Sequence, residues 1–335
     1  MKKRIILGTR ASKLAMIQSH WIIQRLHQHW PNLEITIEQI RTTGDRITDL
    51  PLTSIGGDGV FVTEIERALA ERRIDLAVHS LKDLPTAQPD GMRLVVTGPR
   101  EDVRDAFISN VPFRISPAGL FPVTPDASLT QPLRIGTCSL RRTAQVRWLS
   151  PDADILPLRG NVDTRLRKLE LGNYDGILLA AAGLHRMDLQ ERLAGRLAYF
   201  PVDLFLPAPG QGALGLEIRD EPEWRELLAP LHDPAVQAAT GAERMFMRRL
   251  GAGCYLPVAA YGEMVDGMLT LRGLVTSLDG QQRINVMQQM PWTPATSIEC
   301  AEHLGVTMAE EALAQGANEI ISAIDSTREQ EGQRV

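Results

Sequence analysis

Short apolar runs alternate with amphipathic segments through the first quarter of the chain. Residues 4–7 and 34–38 predict strands, the second because apolar and polar side chains alternate along it. Residues 14–22 repeat apolar side chains along one face, which predicts an amphipathic helix. A second helix, over 61–72, leads into the apolar run 76–78, which is typical of a buried parallel strand. This order predicts a βαβαβ unit.

A second unit with the same plan follows in the middle of the chain. It begins with Gly136-Thr137, as the first unit contains Gly8-Thr9, and both units close with a helix, an aspartate and an apolar strand. Two such lobes facing one another predict a clamshell with a cleft between them; the alternative is that any two βαβ units look alike. The predicted strands are 134–137, 154–158 and 175–180, and the predicted helices are 140–149 and 162–171.

The last third of the chain changes character and predicts a small α+β domain. A helix over 236–250 precedes three strands that are joined by the hairpin signals Asp266-Gly267 and Asp279-Gly280. A three-stranded antiparallel sheet is therefore expected, followed by helical segments and a frayed polar tail from residue 325 onwards. The predicted strands are 259–263, 268–275 and 283–287, and the helical segments are 298–314 and a shorter piece ending at Ile324.

Three connecting segments complete the predicted domain plan. Residues 41–59 are polar and glycine-bearing and predict a long mobile loop, and the proline-rich segment 112–132 predicts an irregular insertion. Residues 206–217 predict a crossover back to the first lobe. The expected domains are then residues 1–103 with 211–230 for the first lobe, 104–210 for the second lobe, and 231–335 for the C-terminal domain.

Composition narrows the functional class. A chain of 335 residues exceeds the roughly 250–300 residues at which single cores stop growing. No apolar run approaches the roughly 20 residues of a membrane span, and three well-separated cysteines suit a reducing compartment, so a cytosolic protein is expected. The net charge of −5 argues against nucleic-acid binding, and the seven histidines have no metal-ligand spacing, so no metal site is expected.

Arginines are concentrated in the second predicted lobe, which suits a small polyanionic ligand. Arg141 and Arg142 follow a strand-to-helix turn at which Ser139 can cap the helix, and free N–H groups there favour an anion. The segment 158–161 with Arg165, and Arg10 with Ser12 in the first lobe, repeat this arrangement. The alternative is a set of capped helices with solvated arginines. The literal G-x-G-x-x-G at 210–215 is rejected as a dinucleotide site, because prolines precede it where a strand should be.

Two further positions can carry chemistry. The apolar run 76–78 ends abruptly in polar residues that include Lys82 and Asp83, and ligands bind at the carboxyl ends of strands in open α/β sheets. The alternative there is a solvated surface ion pair, and His79 is assigned a structural role. Cys254 follows the glycine-rich turn 251–253, where a thiol can act as a nucleophile or attachment point; the alternative is an inert, half-buried thiol.

Five motifs, in order along nearly the whole chain, resemble those of the porphobilinogen deaminase (hydroxymethylbilane synthase) family. The resemblance implies two clamshell lobes like those of type II periplasmic binding proteins, plus a third domain that carries a dipyrromethane cofactor. It also implies successive condensation of porphobilinogen with loss of ammonia, and release of the tetrapyrrole by hydrolysis. The motifs are Ala77-Val-His-Ser-Leu-Lys-Asp-Leu-Pro85, Gly136-Thr-Cys-Ser-Leu-Arg-Arg142, Leu158-Arg-Gly-Asn161, Pro209-Gly-Gln-Gly212 and Gly253-Cys254.

The same resemblance assigns roles residue by residue. It implies that Asp83 is the catalytic carboxylate, that Cys254 holds the cofactor through a thioether, and that the protein is monomeric. A non-catalytic clamshell protein that binds a small polycarboxylate is the competing hypothesis. The remaining cofactor-binding residues implied are Lys82, Ser80, Thr137, Ser139, Arg141, Arg142 and Gly160, and the substrate-binding residues are Arg10, Ser12, Arg159, Arg165 and Arg186.

Overall fold

The computed structural model describes residues 3–46, 59, 62–123, 132–251, 253 and 256–332. Cys254 lies outside the described residues, as do most of the predicted loop 41–59 and part of the segment 112–132. The strands are β1 (Arg4–Arg10), β2 (Glu34–Ile40), β3 (Leu76–Ser80), β4 (Met92–Thr97), β5 (Asp105–Ser109), β6 (Phe113–Ser116), β7 (Gly119–Pro122), β8 (Arg134–Gly136), β9 (Asp154–Leu156), β10 (Gly176–Ala180), β11 (Leu197–Tyr199), β12 (Leu214–Arg219), β13 (Val258–Val265), β14 (Met268–Thr276) and β15 (Arg283–Pro291).

The helices follow the predicted pattern closely in both α/β units and the start of the third domain. They are α1 (Lys13–His29), α2 (Thr43–Arg46), α3 (Thr63–Ala70), α4 (Leu140–Leu149), α5 (Val162–Glu170), α6 (Ala181–Arg186), α7 (Pro222–Leu228), α8 (Pro234–Arg249), α9 (Ile298–Ala312) and α10 (Asn318–Gly332). A single 3₁₀ turn, Leu81–Asp83, directly follows β3.

The first sheet has the order β2-β1-β3-β12-β4, with β1 parallel to β2 and β3, and β12 antiparallel to β3 and β4. Its centre is covered on both faces, as apolar strands require. Val78 packs with Ile22 of α1 on one face, and Ala77 packs with Ile65 of α3 on the other. The carboxyl end of β3 therefore opens at the edge of a rigid, buried layer.

The second sheet repeats this order strand for strand. It runs β9-β8-β10-β5-β11, in which β8 is parallel to β9 and β10, and β5 is antiparallel to β10 and β11. In each lobe the antiparallel strand, β12 or β5, belongs to a segment where the chain crosses between lobes. The expectation of two α/β lobes with one plan is confirmed.

The third sheet, β13-β14-β15, is antiparallel throughout, as expected. Helices α8 and α9 pack on it around Phe246 and Met308, which are fully buried. The fold class is therefore confirmed: two α/β lobes and a small α+β domain. The strands of each sheet fall within the expected domain limits, 1–103 with 211–230, 104–210 and 231–335, although the limits themselves stay predictions.

Three local predictions were wrong. The start of the predicted loop 41–59 is helical, since α2 spans Thr43–Arg46. The tail is helical to Gly332 rather than frayed from residue 325, because Ile320 and Ile324 bury the start of α10 in the core of the third domain. Part of the segment 112–132 is not irregular: β6 and β7 form a hairpin, and Phe113 packs edge-on against Phe107 at 5.1 Å between ring centroids. Strands of four residues are too short to produce a readable period.

The three domains meet at the buried carboxylate of Glu243 on α8. Arg100, in the crossing between β4 and β5, donates to both its oxygens at 2.7 and 3.0 Å. The backbone N–H groups of Gly210 and Gly262 complete the set at 2.6 and 2.7 Å. Such a fully hydrogen-bonded buried pair ties both lobe crossings to the third domain. Within the described part of the chain, no helix has the length and apolar character needed to cross a membrane.

Candidate active site

The carboxyl end of β3 presents two charged side chains in opposite ways. Leu81 anchors the 3₁₀ turn in the core, its N–H donating to the carbonyl of Ala213, while Lys82 points inward and Asp83 is exposed. Among the described residues, none forms a hydrogen bond or ion pair with the Asp83 carboxylate. An acid at a strand end that has no partner in the described part of the chain is available to a ligand.

The Lys82 side chain lies between the lobes, surrounded by protein groups. Its Nζ donates to Oε1 of the buried Gln211 at 3.1 Å. Burial of the ammonium, followed by repulsion from Arg142, lowers the pKa of Lys82 to about 8, although Asp83 and Asp105 partly offset this. Lys82 is thus a cation whose charge can change just above neutral pH.

The other predicted residues of this strand end have clear contacts. Ser80 accepts a hydrogen bond from Nε2 of Gln18 on α1 at 2.9 Å. His79 points to the opposite face of the sheet, where its Nε2 lies 3.3 Å from a carboxylate oxygen of the buried Glu217. This agrees with a structural role for His79, because the side chain is turned away from Ser80 and the cleft end of the strand.

In the second lobe, the turn from β8 to α4 is a side-chain-capped helix start. The Ser139 hydroxyl accepts from the N–H of Arg142 at 3.4 Å, and Thr137 Oγ1 accepts from the N–H of Ser139 at 3.1 Å. Thr137 is buried, whereas the Cys138 thiol is exposed. Both hydroxyls therefore hold the backbone that carries the two adjacent arginines.

Arg141 and Arg142 are buried and share the carboxylate of Asp105, the first residue of β5. Arg141 Nη1 donates to one oxygen at 2.6 Å, and Arg142 donates to the other through Nε and Nη2 at 2.9 and 2.7 Å. Burial alone would raise the pKa of Asp105, but the two guanidinium groups outweigh it and hold the pKa well below its usual range. The remaining Arg142 nitrogen donates to the carbonyl of Leu178 at 3.1 Å.

The turn after β9 adds two more arginines. Gly160 has φ +116°, a conformation that side chains disfavour, and a Cβ there would meet Thr164 at 2.7 Å. This turn directs the Gly160 carbonyl to Nε of Arg165 at 2.6 Å. Burial, then repulsion from Arg142, lowers the pKa of Arg165, while attraction to Asp83 raises it. In Arg159, the buried Nη1 has no hydrogen-bond partner among the described residues.

The structure brings most of the predicted residues to one place, with Arg165 electrostatically coupled to both Arg142 and Asp83. Arg186 of α6 is more peripheral: its Nη2 donates to the carbonyl of Gly212 at 2.7 Å, and burial lowers its pKa to about 10. Ser12 caps α1 through the N–H of Ala15 at 3.3 Å, and Arg10 is half-buried at the end of β1.

Sequence reasoning missed Asp105 and Gln211. Asp105 begins an apolar strand with no local sign that it pairs with arginines. Gln211 lies inside a motif that carried the family resemblance, which was the available signal, but its side chain was given no role. It accepts from Lys82 of the first lobe and donates to the Asp105 carboxylate of the second lobe at 3.3 Å, so it connects the two lobes.

The donor set fits a ligand that carries several carboxylates. Arg159 leaves a buried N–H group unsatisfied, and burial disfavours the charged forms of Lys82 and Arg165, so a bound anion would stabilise all three. A dipyrromethane bearing acetate and propionate groups is such a ligand. Among the residues that the structure describes, no cluster of three or more His, Cys, Asp or Glu side chains is arranged to hold a metal ion.

Comparison with known proteins gives consistent results for both ends of the chain. A family model described as porphobilinogen deaminase, dipyromethane cofactor binding domain, matches residues 5–226. A second, described as porphobilinogen deaminase, C-terminal domain, matches residues 238–314. Porphobilinogen deaminase of Syntrophotalea carbinolica is 47% identical over 326 residues and covers 96% of each chain. That of Syntrophobacter fumaroxidans is 45% identical and covers 97% of this chain and 99% of its own.

Solved structures with similarity to this chain include periplasmic binding proteins. The periplasmic aliphatic sulphonate binding protein SsuA from Escherichia coli has a TM-score of 0.37 and 13% identity, covering 74% of this chain and 70% of its own. The probable amino-acid ABC transporter extracellular-binding protein ytmK from Bacillus subtilis has a TM-score of 0.39 and 9% identity, covering 69% and 91% respectively.

Proposed function

The chain belongs to the porphobilinogen deaminase family, whose members are enzymes of tetrapyrrole synthesis, and on this basis we propose that it is a hydroxymethylbilane synthase. It is then a transferase that joins porphobilinogen units head to tail with loss of ammonia. One observation supports this above all: the Asp83 carboxylate, which has no hydrogen-bond or ion-pair partner among the described residues, is electrostatically coupled to Lys82 and to Arg165 of the second lobe. A carboxylate beside bound polyanionic pyrroles is the group that the reaction needs.

Asp83 acts on the substrate in this proposal. Breaking the C–N bond of porphobilinogen releases ammonia and leaves a cationic azafulvene, which a fixed carboxylate stabilises through charge and through the pyrrole N–H. Formation of the new C–C bond then releases a proton from the attacking pyrrole carbon, and Asp83 can accept it. Lys82, at hydrogen-bonding distance from Gln211, supplies positive charge for the substrate or cofactor carboxylates.

The cofactor would be held by Cys254 through a thioether, with Ser80, Lys82, Thr137, Ser139, Arg141, Arg142 and Gly160 around it. When bound, dipyrromethane supplies the primer pyrrole to which the substrate is joined. Arg142 has its side-chain nitrogens committed to Asp105 and Leu178, so we assign it an electrostatic role rather than a direct contact. The substrate carboxylates fall to Arg10, Ser12, Arg159, Arg165 and Arg186, of which Arg159 has an unsatisfied donor.

The intact mass of the purified protein tests this proposal. Protein produced in a host that makes porphobilinogen should exceed its sequence mass by one dipyrromethane and should give a colour reaction with Ehrlich's reagent. Cys254→Ser should show neither and should not make tetrapyrrole, with Cys300→Ser as the matched control, because Cys300 is an exposed thiol on α9. A wild-type protein at its sequence mass, or full synthesis by Cys254→Ser, would contradict the proposal.

The identical strand order of the two lobes also supports a second candidate, a non-catalytic clamshell protein that binds a small polycarboxylate. Such a protein would bind porphobilinogen without releasing ammonia. An ammonia assay on the purified protein with porphobilinogen separates the two. We further propose, from the resemblance alone, a cytosolic monomer, which light scattering and cell fractionation can test.

A further inference from the structure

Arg244 belongs to the third domain but contacts the segment that carries Asp83. It lies on α8, and its guanidinium reaches the first lobe, where Nη1 donates to the carbonyl of Leu84 at 3.1 Å and Nη2 donates to the carbonyl of Pro85 at 2.7 Å. Leu84 and Pro85 directly follow Asp83. The Arg244 residue is only 8% exposed.

This pair of hydrogen bonds restrains the two carbonyl groups directly after Asp83, beside the buried side chain of Leu84. Before Asp83, the turn is fixed by the buried side chain of Leu81 and by its N–H, which donates to Ala213. After Asp83, the Leu84 N–H closes the turn on Leu81 and Pro85 has no N–H to donate. A planar guanidinium that holds two successive carbonyl groups sets their relative orientation, which a single hydrogen bond does not do.

Burial of the Arg244 guanidinium makes its positive charge less favourable. Burial lowers its pKa to about 10, and Glu217 of β12 and Glu302 of α9 partly offset that effect. These carboxylates come from the first lobe and the third domain, so they favour the cation at the junction of the two. Arg244 remains charged at neutral pH, as its hydrogen bonds to the two carbonyl groups require. A buried cation gains little as a purely structural contact, because desolvation costs about as much as pairing returns.

We propose that Arg244 is a positioning residue for Asp83, which rests on the proposed catalytic role of that carboxylate. It fixes the backbone after Asp83 from a helix that ends at Arg249, shortly before Cys254 in the chain. Helix α8 therefore contacts the backbone beside Asp83 through Arg244, and along the chain it leads towards Cys254. Loss of these two hydrogen bonds leaves the protein folded but lets the turn that carries Asp83 move.

The test compares Arg244→Met with Arg248→Met in the cofactor-loaded enzyme. Arg248 is exposed on the same helix, so its substitution controls for loss of an arginine from α8. Arg244→Met should lower kcat by about 10–100-fold with little change in KM, since small displacements of a reacting group have effects of this order. Amide exchange over residues 81–86 should become faster. Arg248→Met should match the wild type in both measurements.

Two further variants separate positioning from general stability. Arg244→Lys keeps a buried donor and should recover part of kcat and part of the exchange protection. In an Asp83→Glu background, Arg244→Met should lower kcat much less than it does alone, because the carboxylate is already displaced. Unchanged kcat or unchanged exchange in Arg244→Met, or full additivity with Asp83→Glu, would overturn the inference. The wild-type mass and activity report separately on the proposed function itself.

Discussion

The two lobes share a strand order but differ in how their charged side chains are paired. In the first lobe, the carboxylate of Asp83 ends a buried strand and meets no described partner, so it is open to a ligand. In the second lobe, Arg141 and Arg142 are already bound to the buried Asp105, and Arg165 is bound to the Gly160 carbonyl. The same architecture therefore presents a carboxylate without a described partner on one side and internally paired basic groups on the other.

This division has a physical rationale. Basic groups that are held by internal acceptors do not reorganise when a ligand binds, which lowers the cost of recognising carboxylates. A carboxylate that must gain and lose a proton would be hindered by an equally strong internal partner, because pairing holds its pKa low. In the proposed function the lobes thus separate binding from proton transfer, and five predictions test that separation.

Substitution of Asp83 should have the largest effect. Asp83→Ala should lower kcat by about 10²–10⁴-fold, the usual contribution of a positioned general acid or base. Because the side chain is exposed and pairs with no described residue, the unfolding temperature should stay within about 1 °C of the wild type. Asp90→Ala, which removes another exposed carboxylate of the first lobe, provides the control. Near-normal turnover in Asp83→Ala would contradict the proposed catalytic role of this carboxylate.

Asp105→Asn should reduce stability more than any single change at the Asp83 turn. It leaves two buried guanidinium groups without their carboxylate, which costs about 3–5 kcal/mol in the free energy of unfolding. Denaturant titration at pH 7 measures this. Asp203→Asn is the matched control, since Asp203 is 88% exposed and pairs with Arg272, and should cost less than about 1 kcal/mol.

The pH dependence of stability offers a second view of Asp105. Its folded pKa lies below the unfolded value, so its contribution is present above the unfolded pKa and is lost as pH falls towards the folded pKa. Asp105→Asn should therefore differ most from the wild type near neutral pH and least in acid. An equal difference at all pH values would mean that the carboxylate is not paired as described.

The ionisation of Lys82 should make kcat/KM depend on pH. With a pKa of about 8, its ammonium is lost as pH rises through that value, so kcat/KM should fall above about pH 8, approaching tenfold per pH unit. Lys82→Arg should keep the charge and remove this alkaline limb, whereas Lys82→Met should lower kcat/KM below about pH 8 and approach the wild type at higher pH. An unchanged alkaline limb in Lys82→Arg would assign the ionisation to another group.

The smallest effects should come from the helix caps that the lobes share. Ser12 caps α1 in the first lobe and Ser139 caps α4 in the second, by the same hydroxyl-to-N–H contact. Ser12→Ala and Ser139→Ala should each cost about 1 kcal/mol of stability. Thermal unfolding of both variants checks whether the scaffolds are equivalent, and a clear inequality would show that the second-lobe turn depends on its basic residues as well.

The prediction from sequence worked best where the signal was local. Helix α4 begins and ends at the predicted residues, because Ser139 caps its start and Pro151 follows its end. The Asp266-Gly267 turn has positive φ at both residues and joins β13 to β14, as this dipeptide favours. The sequence predicts the end of β3 because the apolar run 76–78 turns polar at His79, within a few residues of Asp83.

What the sequence determined by itself was therefore the parallel strands and main helices of both lobes, the third-domain sheet, the repeated lobe plan and most of the residues available for chemistry. Only the tertiary structure decided how the charges are divided, because their partners are far apart in the chain. Asp105 meets Arg141 across 36 residues, Lys82 meets Gln211 across 129, and Leu84 meets Arg244 across 160. Periodicity and capping act over a few residues, whereas the pairing of buried charges depends on which distant segments the fold brings together.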